Sequence, residues 1–115
     1  DVEAMGVLIA PVEGWKGNAF IDVRNPVWQN YLLDVIIPAV LRNGFDGVMF
    51  DTVDNLLWLE DQDPVAYAGM RRACIDLIQA IHARYPDMRV MMNRGFALLP
   101  HVGDFFNDTA TTEIY

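Results

Sequence analysis

The sequence predicts an α/β fold in which a parallel sheet is covered by helices. Three observations carry this. Short, nearly continuous apolar segments at residues 6–12, 45–51 and 88–93 read as buried strands. Longer stretches with apolar residues at helical spacing separate them. Two of those stretches open on Asn25-Pro26 and Asp63-Pro64, pairs suited to a helix start. Strands that alternate with helices belong to parallel sheets, because the helix supplies the crossover.

Residues 6–12, GVLIAPV, form the first expected strand, with a proline near its end. The segment EGWKGNAFIDVR that follows carries two glycines and reads as a loop, with a short extended piece at 19–23. In the next helix Asn25 accepts a hydrogen bond from first-turn amides, and Pro26 suits the first position because that N–H is unpaired anyway. Trp28, Leu32, Val35, Ile36, Ala39 and Val40 recur at helical spacing. Pro38 predicts a kink, and Gly44 a stop.

Residues 45–51 are the second strand. A second helix is expected from Asp63-Pro64, with Tyr67, Met70, Cys74, Leu77, Ile78 and Ile81 as its apolar stripe. It ends ahead of Pro86, since the residue before a proline is pushed out of the helical region. MRVMMN at 88–93 is the third strand, and FALLPHVGDFF begins a further helix interrupted by Pro100. Two architectures fit this order, an open doubly wound sheet and a (β/α)8 barrel. No glycine-rich phosphate loop follows a strand, which counts against the nucleotide-binding version.

A chain of 115 residues makes one domain at most, and 53% hydrophobic residues are ample for a core. Sixteen acids against eight Lys plus Arg give a net charge of −8. That argues against nucleic acid and anionic membranes, and it would attract a cationic substrate. Apolar runs fall short of the roughly 18 residues of a membrane span. No secretory leader is evident at the N-terminus, though one upstream of Asp1 is left open. The single cysteine, Cys74, excludes an internal disulfide and reads as a core residue. Serine is absent, which removes a serine nucleophile. Asp51, Asp54 and His101 lack metal-ligand spacing, so neither metal nor cofactor is expected.

The stretch GFDGVMFDTVDN carries the chemistry. Side chains alternate along a strand, so Gly47, Met49 and Asp51 share one face and Val48 and Phe50 the other. Asp51 then leaves the strand at its carboxyl end, where α/β folds bind ligands. Asn93 closes the next strand with the same parity. A turn-capping role for Asp51 stays open beside this one. Asp54, Glu60, Asp61 and Asp63 follow in an expected loop, Asp63 as a helix cap and Glu60 and Asp61 as solvated charges. Trp58 in that loop either stacks on a sugar ring or covers the core beneath it.

Three blocks, FIDVRNPVWQNYLLDVIIP, GFDGVMFDTVDN and NRGFALLP, together resemble glycoside hydrolase family 114, the endo-α-1,4-polygalactosaminidases, over roughly residues 6–106. The resemblance implies a (β/α)8 barrel, of which this chain holds about three consecutive strand–helix units. It implies cleavage of α-1,4-linked galactosamine polymers without a cofactor, by a secreted or cell-envelope protein. Asp51 falls on the catalytic carboxylate. The second catalytic residue is expected to be a glutamate after a later strand. Asp22, Arg24, Asn93 and Arg94 fall on motif positions near the substrate cleft, and Asp54 and Trp58 join them as expected substrate-binding residues. A polymer with free amines is a polycation, which the acidic 51–63 stretch suits. Two alternatives stay open: a barrel glycosidase for a neutral or N-acetylated glycan, and a carbohydrate-binding barrel without chemistry.

The last nine residues, NDTATTEIY, leave the family pattern. The expected division is therefore a partial hydrolase domain over 1–106 and a non-native tail over 107–115, in which Glu113 is not the missing acid. A complete barrel needs about 250 residues. The chain alone is accordingly expected to be poorly soluble and inactive.

Overall fold

The computed structural model describes residues 1–102 and the backbone of residues 112–114. Strand β1, Leu8–Pro11, pairs antiparallel with β2, Ala19–Ile21, Leu8 lying opposite Ile21. Backbone bonds from Val12 N–H to the Asn18 carbonyl (2.9 Å) and from Asp22 N–H to the Val7 carbonyl (2.8 Å) close the two ends. The first expected strand therefore stands outside the parallel sheet. Its connection, residues 12–18, is shorter than the dozen or so residues a parallel crossover needs, so the chain folds back as a hairpin.

Asn25 Oδ1 accepts from Val27 N–H (2.9 Å) and starts helix α1, Pro26–Tyr31. A π turn, Leu32–Ile36, leads into α2, Ile37–Arg42. The expected kink at Pro38 takes this form. Ile37 N–H bonds the Leu32 carbonyl, five residues back, and Pro38 has no N–H. The Leu33 carbonyl thereby loses both of its ordinary helical donors, and the Tyr85 hydroxyl donates to it instead. An Arg84–Asp34 ion pair fastens the same turn.

Strands β3, Gly47–Phe50, and β4, Arg89–Met92, pair parallel in register, Gly47 beside Arg89 through Phe50 beside Met92. The backbone of β5, Thr112–Ile114, continues the sheet beyond β4. Gly47 allows the close approach: a Cβ there would lie 2.5 Å from the Arg89 carbonyl oxygen.

The stretch expected as an acidic loop is largely helical. Helix α3 runs Asp54–Gln62, and α4 runs Met70–Arg84 rather than starting at Asp63. Three leucines in DNLLWLEDQ favour the helix, and two of them, Leu57 and Leu59, are buried. Asp63 still caps, but it caps a turn: its carboxylate accepts from Val65 N–H (3.2 Å) and Ala66 N–H (2.9 Å). Glu60 is not a solvated charge. Its two oxygens accept from Gly69 N–H and Arg71 N–H, each at 2.8 Å, and so close the N-terminus of α4. Tyr67 lies in the turns ahead of that helix rather than in its stripe.

After β4 a 3₁₀ turn, Phe96–Leu98, leads into a helix that begins at residue 99. Pro100 falls in its first turn, where a missing N–H costs nothing, instead of interrupting it. Residues 103–111 and residue 115 lie outside the described residues, and with them the rest of this expected helix and most of the expected tail.

One cluster makes the core. Met70, Cys74, Ile75, Leu77, Ile78 and Ile81 of α4 pack with Ile37, Val90, Met92, Leu98 and Val102. Val48 and Phe50 of β3 join it half-buried, whereas Met49 on the opposite face is 59% exposed. β3 with α3–α4 and β4 with the helix from 99 are strand–helix units of the parallel sheet, whereas β2, which precedes α1–α2, pairs with β1 in a separate two-stranded sheet. No helix among the described residues is long and apolar enough to cross a membrane.

Glu60→Ala in the intact protein is expected to cost about 1–2 kcal/mol, because two α4 amides lose their acceptor. A urea midpoint unchanged by the substitution would contradict the cap.

Candidate active site

Asp51 follows the last residue of β3, and Asn93 follows the last residue of β4. The in-register pairing sets them side by side, and Asn93 Nδ2 donates to Asp51 Oδ1 at 2.7 Å. The main chain fixes this contact from both sides. Asn93 N–H bonds the Phe50 carbonyl (2.9 Å), and Val53 N–H bonds the Asn93 carbonyl (3.2 Å).

The next residue after each polar one has a positive φ, Thr52 at +50° and Arg94 at +64°. Such conformations are uncommon outside glycine, and for a β-branched threonine they cost of order 1–3 kcal/mol. Both turn the chain sharply out of the strand. Asp51 and Asn93 are left as the last residues to keep strand parity.

A second contact crosses the same ends. Arg94 Nη2 meets Asp54 Oδ2 at 2.8 Å, while Asp54 Oδ1 is buried without a hydrogen-bond partner. Asp54 is thus half of an ion pair rather than an open acid. Trp58, four residues along α3 from Asp54 and so on the same side of the helix, is 53% exposed.

Asp22 and Arg24 meet each other. Arg24 Nε donates to Asp22 Oδ1 (2.8 Å) and Nη2 to Oδ2 (2.9 Å). Its Nη1 reaches the carbonyls of Ala66 (3.0 Å) and Ala68 (3.1 Å), and the guanidinium lies 6.0 Å from the Tyr67 ring centre. Two hydrogen bonds and one ring contact therefore tie the turns ahead of α4 to Arg24, which Asp22 holds just beyond β2. The Arg24 hydrogen bond holds the Asp22 carboxyl below its ordinary 3.8, against a smaller opposing effect of burial.

A cavity of about 290 Å³ opens beside β3. Phe20, Trp28, Phe50, Leu77 and Ile81 line its apolar part, and Asp51 is the one candidate residue on its wall. Cys74 also lines it, but burial pushes its thiol up to about 12, so no thiolate forms there. Among the described residues no group of three potential metal ligands occurs.

The structure thus joins Asp51 to Asn93, Asp54 to Arg94, and Asp22 to Arg24, with Trp58 apart on α3. Sequence reasoning did not find the strained Thr52, nor Glu60 as a cap. The strain leaves no compositional trace beyond a bulky residue where glycine would be easier.

The depressed Asp22 value makes its contribution to stability complete above the ordinary carboxyl range and lost as pH falls through the lower folded value. In Arg24→Met the stability deficit, about 2 kcal/mol near neutrality, is expected to shrink in acid. Urea titrations of both proteins at several pH values would show it; a constant deficit would contradict the coupling.

Comparison with known proteins bears on the family and the fold. The family model described as "Glycoside-hydrolase family GH114" matches residues 3–114. The glycoside hydrolase domain of PelA from Pseudomonas aeruginosa superposes with a TM-score of 0.71 at 24% identity, covering 99% of this chain and 44% of that one. A variant of the same domain gives 0.72 at 24%, covering 98% and 42%. The chain therefore spans less than half the length of these solved structures. No curated protein matches it. With the profile match running almost from end to end and the same fold in both neighbours, this chain belongs to glycoside hydrolase family GH114.

Proposed function

We propose that the chain supplies the first catalytic carboxylate, Asp51, of a glycoside hydrolase acting on α-1,4-linked galactosamine polysaccharide outside the cytoplasm. One observation carries this reading. Asp51 is exposed at the carboxyl end of β3, on the wall of the cavity beside that strand, with a neutral amide as partner and no ion pair among the described residues. Every other carboxylate expected in the cleft, Asp22 and Asp54, is bound to an arginine.

Cleavage of a glycosidic bond needs one carboxyl group to protonate the departing oxygen and another to face the anomeric carbon. Asp51 takes the second role, as nucleophile if the two groups lie about 5–5.5 Å apart, or as base for a water at larger separation. The acid is a glutamate after a later barrel strand, as the family resemblance implies. Asp54, with Arg94 on one oxygen and the other buried, is poorly placed to deliver a proton. Trp58 offers an indole face for a sugar ring, and Asn93 and Arg94 border the cleft. Asp22 and Arg24 shape it by holding the 64–69 turns. A net charge of −8 suits a polymer carrying free amines.

In the full-length protein Asp51→Asn is expected to lower kcat/KM by about a thousandfold or more, with the fold intact by circular dichroism. Turnover at the wild-type rate would remove the catalytic reading and leave a carbohydrate-binding barrel. Deacetylated galactosaminoglycan is expected to be cleaved faster than its fully N-acetylated form, with an advantage that fades as salt rises. Equal rates on both would favour a neutral-glycan hydrolase.

A further inference from the structure

We propose that Asn93 is a positioning residue for Asp51, holding one carboxylate oxygen so that the other, Oδ2, is the atom presented to the sugar. This rests on the reading of Asp51 as the catalytic carboxylate.

Asp51 is exposed and sits just beyond the last paired strand residue, so packing does little to choose its rotamer. The choice falls to the 2.7 Å bond from Asn93. The donor's main chain is held in place, because it is bonded to Phe50 on one side of Asp51 and to Val53 on the other. Donor and acceptor thus hang from one closed backbone loop of short bonds. The strained residues Thr52 and Arg94 keep both side chains at the strand ends.

The chemistry of the amide makes the contact directional. Only its N–H end can face an ionised carboxylate, so Oδ1 of Asp51 stays an acceptor. Oδ2 is then the oxygen free to attack a carbon or to take a proton from water. The amide has no competing acid to serve, since Asp54 is held by Arg94 on the adjoining contact. Orientation of this kind acts on the chemical step more than on binding, because it brings the reacting atom into line without adding a substrate contact.

The test uses the full-length protein on deacetylated α-1,4-galactosaminoglycan, with Asp51→Asn, Asn93→Ala and Asn93→Asp assayed beside wild type. Asn93→Ala is expected to lose about 10- to 100-fold in kcat with KM within about twofold, the size of a hydrogen bond to a charged group. Asn93→Asp keeps the shape but replaces the donor with a second carboxylate, and is expected to be slower still. A melting temperature measured for each variant separates lost turnover from lost folding.

If Asp51→Asn is inactive while Asn93→Ala keeps its kcat, the positioning role is overturned and the catalytic reading of Asp51 stands. A raised KM at constant kcat makes Asn93 a substrate contact and likewise overturns it. Should Asn93→Ala fail to fold, Asn93→Asp decides, and wild-type turnover in it overturns the role. Full turnover by Asp51→Asn overturns both readings together.

Discussion

The in-register parallel pairing of β3 with β4 is the constraint on which the rest depends. Because side chains alternate with a period of two, one register sends Val48, Phe50, Val90 and Met92 to the helices. The same register sends Met49, Asp51, Met91 and Asn93 to the other face. A slip of one residue would exchange the two sets, burying a carboxylate and exposing the core. The pairing is thus specified by hydrophobic burial, yet its consequence is the 2.7 Å contact between Asp51 and Asn93. Gly47 belongs to the same constraint, since any side chain there would push β3 from Arg89.

An excess of acids could have made this protein a diffuse anion, but most of the conspicuous ones have specific partners. Glu60 and Asp63 accept from backbone amides, and Asp22, Asp34, Asp54, Asp61 and Asp76 each meet an arginine. Asp51 differs from these, because its partner is the neutral side-chain amide of Asn93 and it is exposed at a strand end. Charge that caps helices and closes turns adds to stability. The strain at Thr52 and Arg94 falls at the same two strand ends, which is where a fold can tolerate it when the flanking pairing is strong.

The π turn shows the same economy in the backbone. Pro38 removes a donor from a long helix, the register shifts by one residue, and the hydroxyl of Tyr85, just past the end of α4, donates in place of the missing N–H. A sequence feature that reads as a local defect becomes a point of attachment between two helices.

Strand β3, strand β4 and the apolar face of α4 were legible in the sequence, since burial on one side imposes periods of two and 3.6 that survive any tertiary context. The meeting of Asp51 and Asn93 at neighbouring strand ends followed from the same parity. Helix α3 was not legible, because its carboxylates read as loop charges until Glu60 is seen to bond the amides of α4. The hairpin of β1 with β2, the ion pairs that occupy Arg24 and Arg94, and the positive φ of Thr52 were decided by tertiary structure alone. Each depends on what lies across a gap in space, and composition and spacing record only what lies nearby along the chain.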